Sequence, residues 1–327
     1  MYTVSARPRR GKASCAVRCE GRFQPAKRGR FESIFMAAVS KLKAHERAIR
    51  SVVLFRNKDK VEAVRALKEV RAALEKRGVS VTLADGKSTV KALKKCDIAI
   101  ALGGDGTMLR CSRAVAPHLV PLLGINVGGL GFLSAVDLSG FKKSLPQILA
   151  GKFVVESRWM LCVEVRRGNK VVFGPHAALN DCVIRGGEQA RAVTVAVDCE
   201  GQSVATYFGD GLIFATPTGS TAYALAAGGP VVMPNVNAYL LAPISPHQLT
   251  ARPLLVSTEH SLNAQLKRRN PYDKPQALVS VDGQIDHCLR IGETVTLGRA
   301  KLCFKLLVPP KRSHFDLLHE KFSWGVR

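Results

Sequence analysis

The apolar run Ile98-Ala99-Ile100-Ala101-Leu102 breaks off in Gly103-Gly104-Asp105-Gly106, and Thr107 then opens a segment compatible with a helix. The order strand, tight turn, helix restricts the fold more than any other stretch, because a buried strand feeding a helix belongs in a parallel sheet. Glycines allow φ > 0 and close approach to a ligand, and the first N–H groups of a helix have no intrahelical partner, so the turn has the geometry of a phosphate site. Asp105 is the odd member. A carboxylate beside phosphates is repelled unless it binds a metal, takes a proton or accepts a hydrogen bond from a ligand hydroxyl. These residues alone are read equally well as a βα turn with a solvated aspartate.

The flanking chain repeats the same grammar. Met36 to Ile49 allows a short helix, and Ser51-Val52-Val53-Leu54-Phe55 reads as a first buried strand. Val61, Val64, Leu67, Val70 and Leu74 recur at steps of three or four, which predicts an amphipathic helix that Gly78 stops. Val79 to Leu83 is a strand, Thr89 to Lys95 a short helix, Asp97 to Leu102 the strand of the glycine turn, and Pro121 to Asn126 another strand. Such alternation predicts a Rossmann-like parallel sheet over 36–136 with ligands at the carboxyl ends of its strands.

After about Asp137 the period changes. Leu161, Val163 and Val165 alternate with Cys162, Glu164 and Arg166, and Val193, Val195 and Val197 with Thr194 and Ala196; Val295 and Leu297 sit between threonines. With turns such as Arg167-Gly168-Asn169 and Asp282-Gly283, this predicts a β-rich, mostly antiparallel, sandwich-like domain over 137–308. A helix over Ala222 to Ala227, ended by Gly228-Gly229-Pro230, interrupts it.

Charge and cysteine usage bound the partners. The 327 residues carry 49 basic and 25 acidic side chains, a net +24 that favours polyanionic ligands, and residues 1–50 alone hold 13 Lys/Arg against 3 Asp/Glu. Residues 1–35 have no sustained period and admit three readings: a disordered basic tail, a start codon placed ahead of the true start at Met36, or an organelle transit peptide. Their removal is expected to leave activity nearly intact. The nine cysteines form no Cys-x-x-Cys pair and no Cys/His cluster has zinc spacing, which fits reduced thiols in the cytoplasm and assigns no residue to a metal. No apolar run approaches the ~18 residues that span a bilayer, and no signal-peptide core is present.

Two further clusters carry chemistry. Asn126-Val127-Gly128-Gly129-Leu130-Gly131-Phe132-Leu133 ends the strand after the first motif's helix, so two glycine turns face one crevice, with Phe132 either an aromatic face for a base or a core residue. Asp210 to Ala215 leads into Thr216-Pro217-Thr218-Gly219-Ser220-Thr221-Ala222-Tyr223, a helix start preceded by hydroxyls that serve a ligand or serve only as caps. There is no Gly-x4-Gly-Lys-Ser/Thr loop and no complete Gly-x-Gly-x-x-Gly, which disfavours a Walker ATPase and a standard dinucleotide dehydrogenase.

Gly103 to Thr107, Asn126 to Leu133 and Thr216 to Tyr223, in that order, resemble the three signature blocks of the NAD kinase family. Asn180-Asp181 falls where the family has its Asn-Glu or Asn-Asp pair, and the ending His314 to Gly325 is similar to its C-terminal helix and Trp-Gly tail. The resemblance implies an α/β domain followed by a β-rich domain, with 309–327 returning to the first, in a homodimer or homotetramer. It implies phosphoryl transfer, with Mg²⁺, from ATP or polyphosphate to the adenosine-ribose 2′-hydroxyl of NAD. Asp105 then corresponds to the general base; Gly106 and Thr107 approach the substrate, Arg110 meets a phosphate and Phe132 flanks the adenine. Asn180 and Asp181 hold ribose hydroxyls, Asp210 accepts from the nicotinamide carboxamide, and Thr221, Ala222 and Tyr223 line the adenine end. Arg191 and Gln284 are further carry-overs. The chain departs from the pattern at Ala226, where many members have serine, and at Phe208, where others often carry a polar or basic residue; altered affinity rather than lost activity is expected.

Two alternatives accompany this reading. Gly-Gly-Asp-Gly-Thr is shared with diacylglycerol-type lipid kinases, which do not account for Thr216 to Tyr223 or Trp324-Gly325. A basic nucleic-acid-binding protein would use the +24 charge, but no nucleic-acid-binding motif is present and only 6% of residues are aromatic.

Overall fold

The computed structural model describes residues 48–57, 60–86, 88–128, 131–134, 136–187, 192–273, 275–308 and 313–323. The helix expected over Met36 to Ile49 lies outside them as far as residue 47, and residues 48–50 are not helical. Residues 1–35, Arg191 and the Trp324-Gly325 tail also fall outside.

The first part builds the expected units: β1 (Ser51–Arg56), α1 (Val61–Glu75), β2 (Ser80–Leu83), α2 (Ser88–Leu93), β3 (Ile98–Leu102), α3 (Asp105–Val115) and β4 (Leu122–Asn126). The strands pair in parallel in the order β4-β3-β1-β2. β3 and β4 are buried at every position, which is why their sequences are apolar without alternation: helices cover both faces. On one face α1 packs Ala63, Leu67, Val70 and Leu74 with Val52, Leu54, Ile98 and Ile100. On the other, α3 packs Met108, Cys111 and Val115 with Val53, Ala99 and Ala101. Full burial of each Leu or Val contributes about 1.5–3 kcal/mol.

Periodicity did not announce the next helix. After the two-residue β5 (Val136–Asp137), α4 (Leu138–Leu149) starts where Asp137 caps it by accepting the Gly140 N–H at 2.7 Å. It carries Pro146 within it, and its Phe141, Leu145 and Ile148 join the core that α1 covers.

The remaining strands are β6 (Val154–Arg167), β7 (Lys170–Ala178), β8 (Asp181–Gly186), β9 (Val193–Cys199), β10 (Gln202–Gly209), β11 (Gly211–Ala215), β12 (Ala238–Ile244), β13 (Leu254–Ser257), β14 (Leu262–Lys267), β15 (Ala277–Val281), β16 (Ile285–Leu289) and β17 (Glu293–Val308). The interrupting helix α5 (Tyr223–Ala226) is shorter than expected and follows a 3₁₀ turn, Gly219–Thr221. One sheet runs β13-β12-β11-β8-β15-β16, antiparallel throughout. The other runs β10-β9-β14-β17 and continues into β4-β3-β1-β2, with β6 and β7 branching from β17. Between the sheets Val163, Val165, Val193, Val195, Val197, Val295 and Leu297 meet Ile184, Leu212, Phe214, Leu241 and Val279. These are the inward positions of the period-2 runs, so the sandwich core follows from the alternation.

β17 ties the parts together. Val295 and Leu297 serve the sandwich core, Phe304, Leu306 and Leu307 serve the cores of the parallel sheet, and Leu306 pairs with Leu122 of β4. The chain then returns to the α/β part as α6 (His314–Phe322), opened by a capping box between Ser313 and Asp316. Among the described residues no helix is long and apolar enough to cross a membrane.

Candidate active site

The glycine turn leaves β3 with Gly104 as the extended N-cap of α3, which places Asp105 in the first turn. Its carboxylate is not free. Oδ2 accepts the Phe132 N–H at 2.8 Å and Oδ1 the Leu133 N–H at 3.0 Å, so the second glycine loop is anchored on Asp105. Gly131 makes that approach possible, since a Cβ there would overlap the carboxylate. An ionised carboxylate offers about four acceptor sites, of which bonds within the described residues use two.

The opposite wall comes from the β15–β16 turn. Asp282 is fully buried as a side chain and accepts N–H groups from Leu179 at 3.0 Å, Asn180 at 2.8 Å and Asp181 at 3.3 Å. Arg113 of α3 donates to Asp282 Oδ2 at 2.8 Å and also to the Gln284 side-chain oxygen. Gln284 in turn donates from Nε2 to the Gly106 carbonyl at 2.8 Å. These contacts bring the Asp105 turn and the Asn180-Asp181 pair to one place.

The third cluster backs this pair. Thr216 donates its N–H to the Asn180 carbonyl at 2.8 Å and its hydroxyl to the Leu179 carbonyl at 2.6 Å. A Cβ at Gly219 would overlap the Asn180 carbonyl. Ser220 donates to the Pro217 carbonyl at 2.7 Å and accepts the Val232 N–H at 2.9 Å, while the Thr221 hydroxyl donates to the Thr218 carbonyl at 3.2 Å. These hydroxyl bonds stabilise the turn.

Burial pushes the Asp181 carboxyl up to about 7, and the neighbouring Asp282 charge adds to it. Burial raises Asp282 as well, but its ionised form is held by N–H donors and by Arg113, so a proton shared by the two rests on Asp181.

Residues 87–153 match the ATP-NAD kinase N-terminal domain and residues 179–307 the ATP-NAD kinase C-terminal domain. An NAD kinase of Azoarcus sp. (strain BH72) is 36% identical over 87% of this chain and 98% of its own length. The chain belongs to the NAD kinase family. An NAD kinase of Pseudomonas aeruginosa (strain LESB58) is 40% identical over 71% of this chain and 77% of its own. Among solved structures, an NAD kinase from Archaeoglobus fulgidus in complex with ATP superposes with a TM-score of 0.68 at 26% identity, over 84% of this chain and 98% of that one. Yeast NADH kinase complexed with NADH shares the fold, with a TM-score of 0.79 at 22% identity over 88% and 92% of the two chains.

Against the family's pattern, the structure brings together Asp105, Gly106, Thr107, Asn180, Asp181 and Gln284. Thr107 is buried, Gly106 exposed. The exposed Arg110 donates to the Arg56 carbonyl at 3.3 Å. The Phe132 ring packs on Phe322 of α6, with centroids 5.6 Å apart, and Lys321 Nζ lies 6.0 Å from its centroid. Thr221, Ala222, Tyr223 and Ala226 lie on the 3₁₀ turn and α5, with Tyr223 and Ala226 exposed. Asp210 stands apart: it is exposed at the start of β11, whereas Thr216 follows the strand's end, about 20 Å away at roughly 3.4 Å per residue. Sequence reading missed Arg113 and Asp282. The available signal for Arg113 was its place seven residues beyond Gly106, on the same face of α3; Asp282 was visible only as a turn residue.

Proposed function

We propose that the chain transfers the γ-phosphoryl group of ATP to the adenosine-ribose 2′-hydroxyl of NAD. The observation that carries this is the bond from Gln284 to the Gly106 carbonyl, which sets a carboxylate at a helix N-terminus beside an Asn-Asp pair. Family membership and the fold shared with an ATP-bound NAD kinase support it.

In this reading Asp105, oriented by Phe132 and Leu133, takes the hydroxyl proton as the oxygen attacks phosphorus, a contribution of roughly 10²–10⁴ in rate. Asn180 and Asp181 hold ribose hydroxyls, for which an amide and a carboxylate are the suited acceptors. N–H groups at the head of α3 face the phosphates, with Arg110 and Arg191 as further cationic contacts. Thr221, Ala222, Tyr223 and Phe132 serve the adenine, and Asp210 the nicotinamide carboxamide. The family resemblance also supports assembly as a homodimer or homotetramer. Exposed Leu254 and Leu255 on the edge strand β13 support such assembly. A divalent cation, Mg²⁺ in this reading, would neutralise charge developing on the phosphates. Among the described residues no group of three or more His, Cys, Asp or Glu could hold a metal ion.

A cytoplasmic setting is supported by the seven described cysteines, all free. The deciding experiment incubates purified protein with NAD, Mg²⁺ and either ATP or polyphosphate, and assays NADP. NADP from one donor names it; phosphorylated lipid without NADP in a parallel assay would sink the proposal.

A further inference from the structure

We propose that Arg113 is a positioning residue that sets the Asn180-Asp181 pair against the Asp105 turn. The inference rests on the NAD kinase reading above and adds a residue to it.

The guanidinium of Arg113 divides its donors between two residues of one turn: one nitrogen meets Asp282 Oδ2 at 2.8 Å, the other the Gln284 side-chain oxygen. Asp282 passes the constraint to the backbone of Leu179, Asn180 and Asp181, and Gln284 passes it to the Gly106 carbonyl. Arginine has donors only, so the amide of Gln284 must present oxygen to Arg113 and therefore nitrogen to Gly106. Flipped, its oxygen would face the Gly106 carbonyl and the bridge would become repulsive. Lysine carries one compact ammonium and cannot reproduce the fork.

Arg113 is also the counter-charge of Asp282. It is 17% exposed and Asp282 fully buried, so the pair is poorly screened. Among the described residues, the titratable groups that feel it include Asp181 from β8, Cys111 of α3, kept neutral by burial despite Arg110 and Arg113, and His176 from β7, whose pKa is lowered by burial and by Arg113. Cys182, held neutral by burial and by both carboxylates, adds no charge. Removal of the only described cation paired with Asp282 raises both apparent pKa values of the Asp181–Asp282 pair.

The test measures NADP formation by wild type, Arg113→Met and Arg113→Lys across pH with NAD varied. For Arg113→Met, kcat/KM for NAD is expected to fall about 10–100-fold, and the acid limb of its pH profile to move to higher pH. Arg113→Lys should return the limb toward wild type while leaving kcat/KM depressed. A role confined to stability would lower activity without moving the limb. Arg113→Met with an unmoved limb overturns the inference; if that variant does not fold, Arg113→Lys with wild-type kcat/KM overturns it. Wild-type protein that makes no NADP defeats the reading of function itself, which separates the two failures.

Discussion

The Asp105 carboxylate and the backbone N–H of Phe132 meet at 2.8 Å, so the residue proposed as general base also holds the second glycine loop. Asn at this position retains one acceptor oxygen and turns an NH₂ group toward a backbone donor. Asp105→Asn is therefore expected to lose about 10²–10⁴ in kcat while calorimetric NAD binding largely survives. Wild-type kcat in this variant would remove Asp105 from the role.

Gly131 tests the same contact from the other side. A methyl group there overlaps the carboxylate, so Gly131→Ala must displace either Asp105 or the loop. A loss of turnover comparable to Asp105→Asn, with a circular dichroism spectrum like wild type, is the expected result. Unaltered kcat would mean that the orientation of Asp105 is unimportant.

Asp181 makes stability depend on pH in an unusual direction for a carboxylate. Its folded pKa, raised to about 7 from 3.8, lies above that of the unfolded chain, so the native state binds more protons between those values. Its contribution is complete below the unfolded pKa and is lost as pH rises through about 7. Thermal melts of wild type and Asp181→Asn should diverge progressively between pH 5 and 8, wild type losing more Tm as pH rises; parallel curves would contradict the assignment.

His314 carries the opposite sign. It lines a cavity of about 40 Å³ with Phe132 and Arg158, and burial, with the Arg158 charge adding, lowers its pKa from 6.5. Among the described residues, His314 Nε2 and Arg158 Nε are both buried without a hydrogen-bond partner. A folded pKa below the unfolded one contributes stability above pH 6.5 that is lost as pH falls through the folded value. His314→Gln should flatten the decline of Tm from pH 6.5 to 5, and an unchanged slope would show that this histidine is not the group responsible.

How much of this was legible beforehand depended on distance along the chain. The spacing of Leu67, Val70 and Leu74 disclosed α1, and the alternation of Val193, Val195 and Val197 disclosed a strand with one buried face, because a residue's direction follows from the period of its own element. α4 escaped because Pro146 and the cap at Asp137 hide a helix behind breaker residues. The hydroxyls before α5 read from the sequence either as ligand groups or as caps, and only the folded chain bonds those of Thr216 and Ser220 to backbone a few to tens of residues away.

Local pattern, then, was enough for the parallel sheet, the β-rich part and the glycine turn beneath Asp105. Only the folded chain decided that Asp105 would meet Phe132, that Arg113 would reach Asp282, and that β17 would join the two parts through Leu306 and Leu122. Periodicity encodes which face of an element is buried, but it carries no information about which distant element covers that face. The pairing of Arg113 with Asp282, 169 residues apart, arises when the β15–β16 turn is carried onto α3. There a buried carboxylate requires a counter-charge, and packing rather than local preference selects which one it finds.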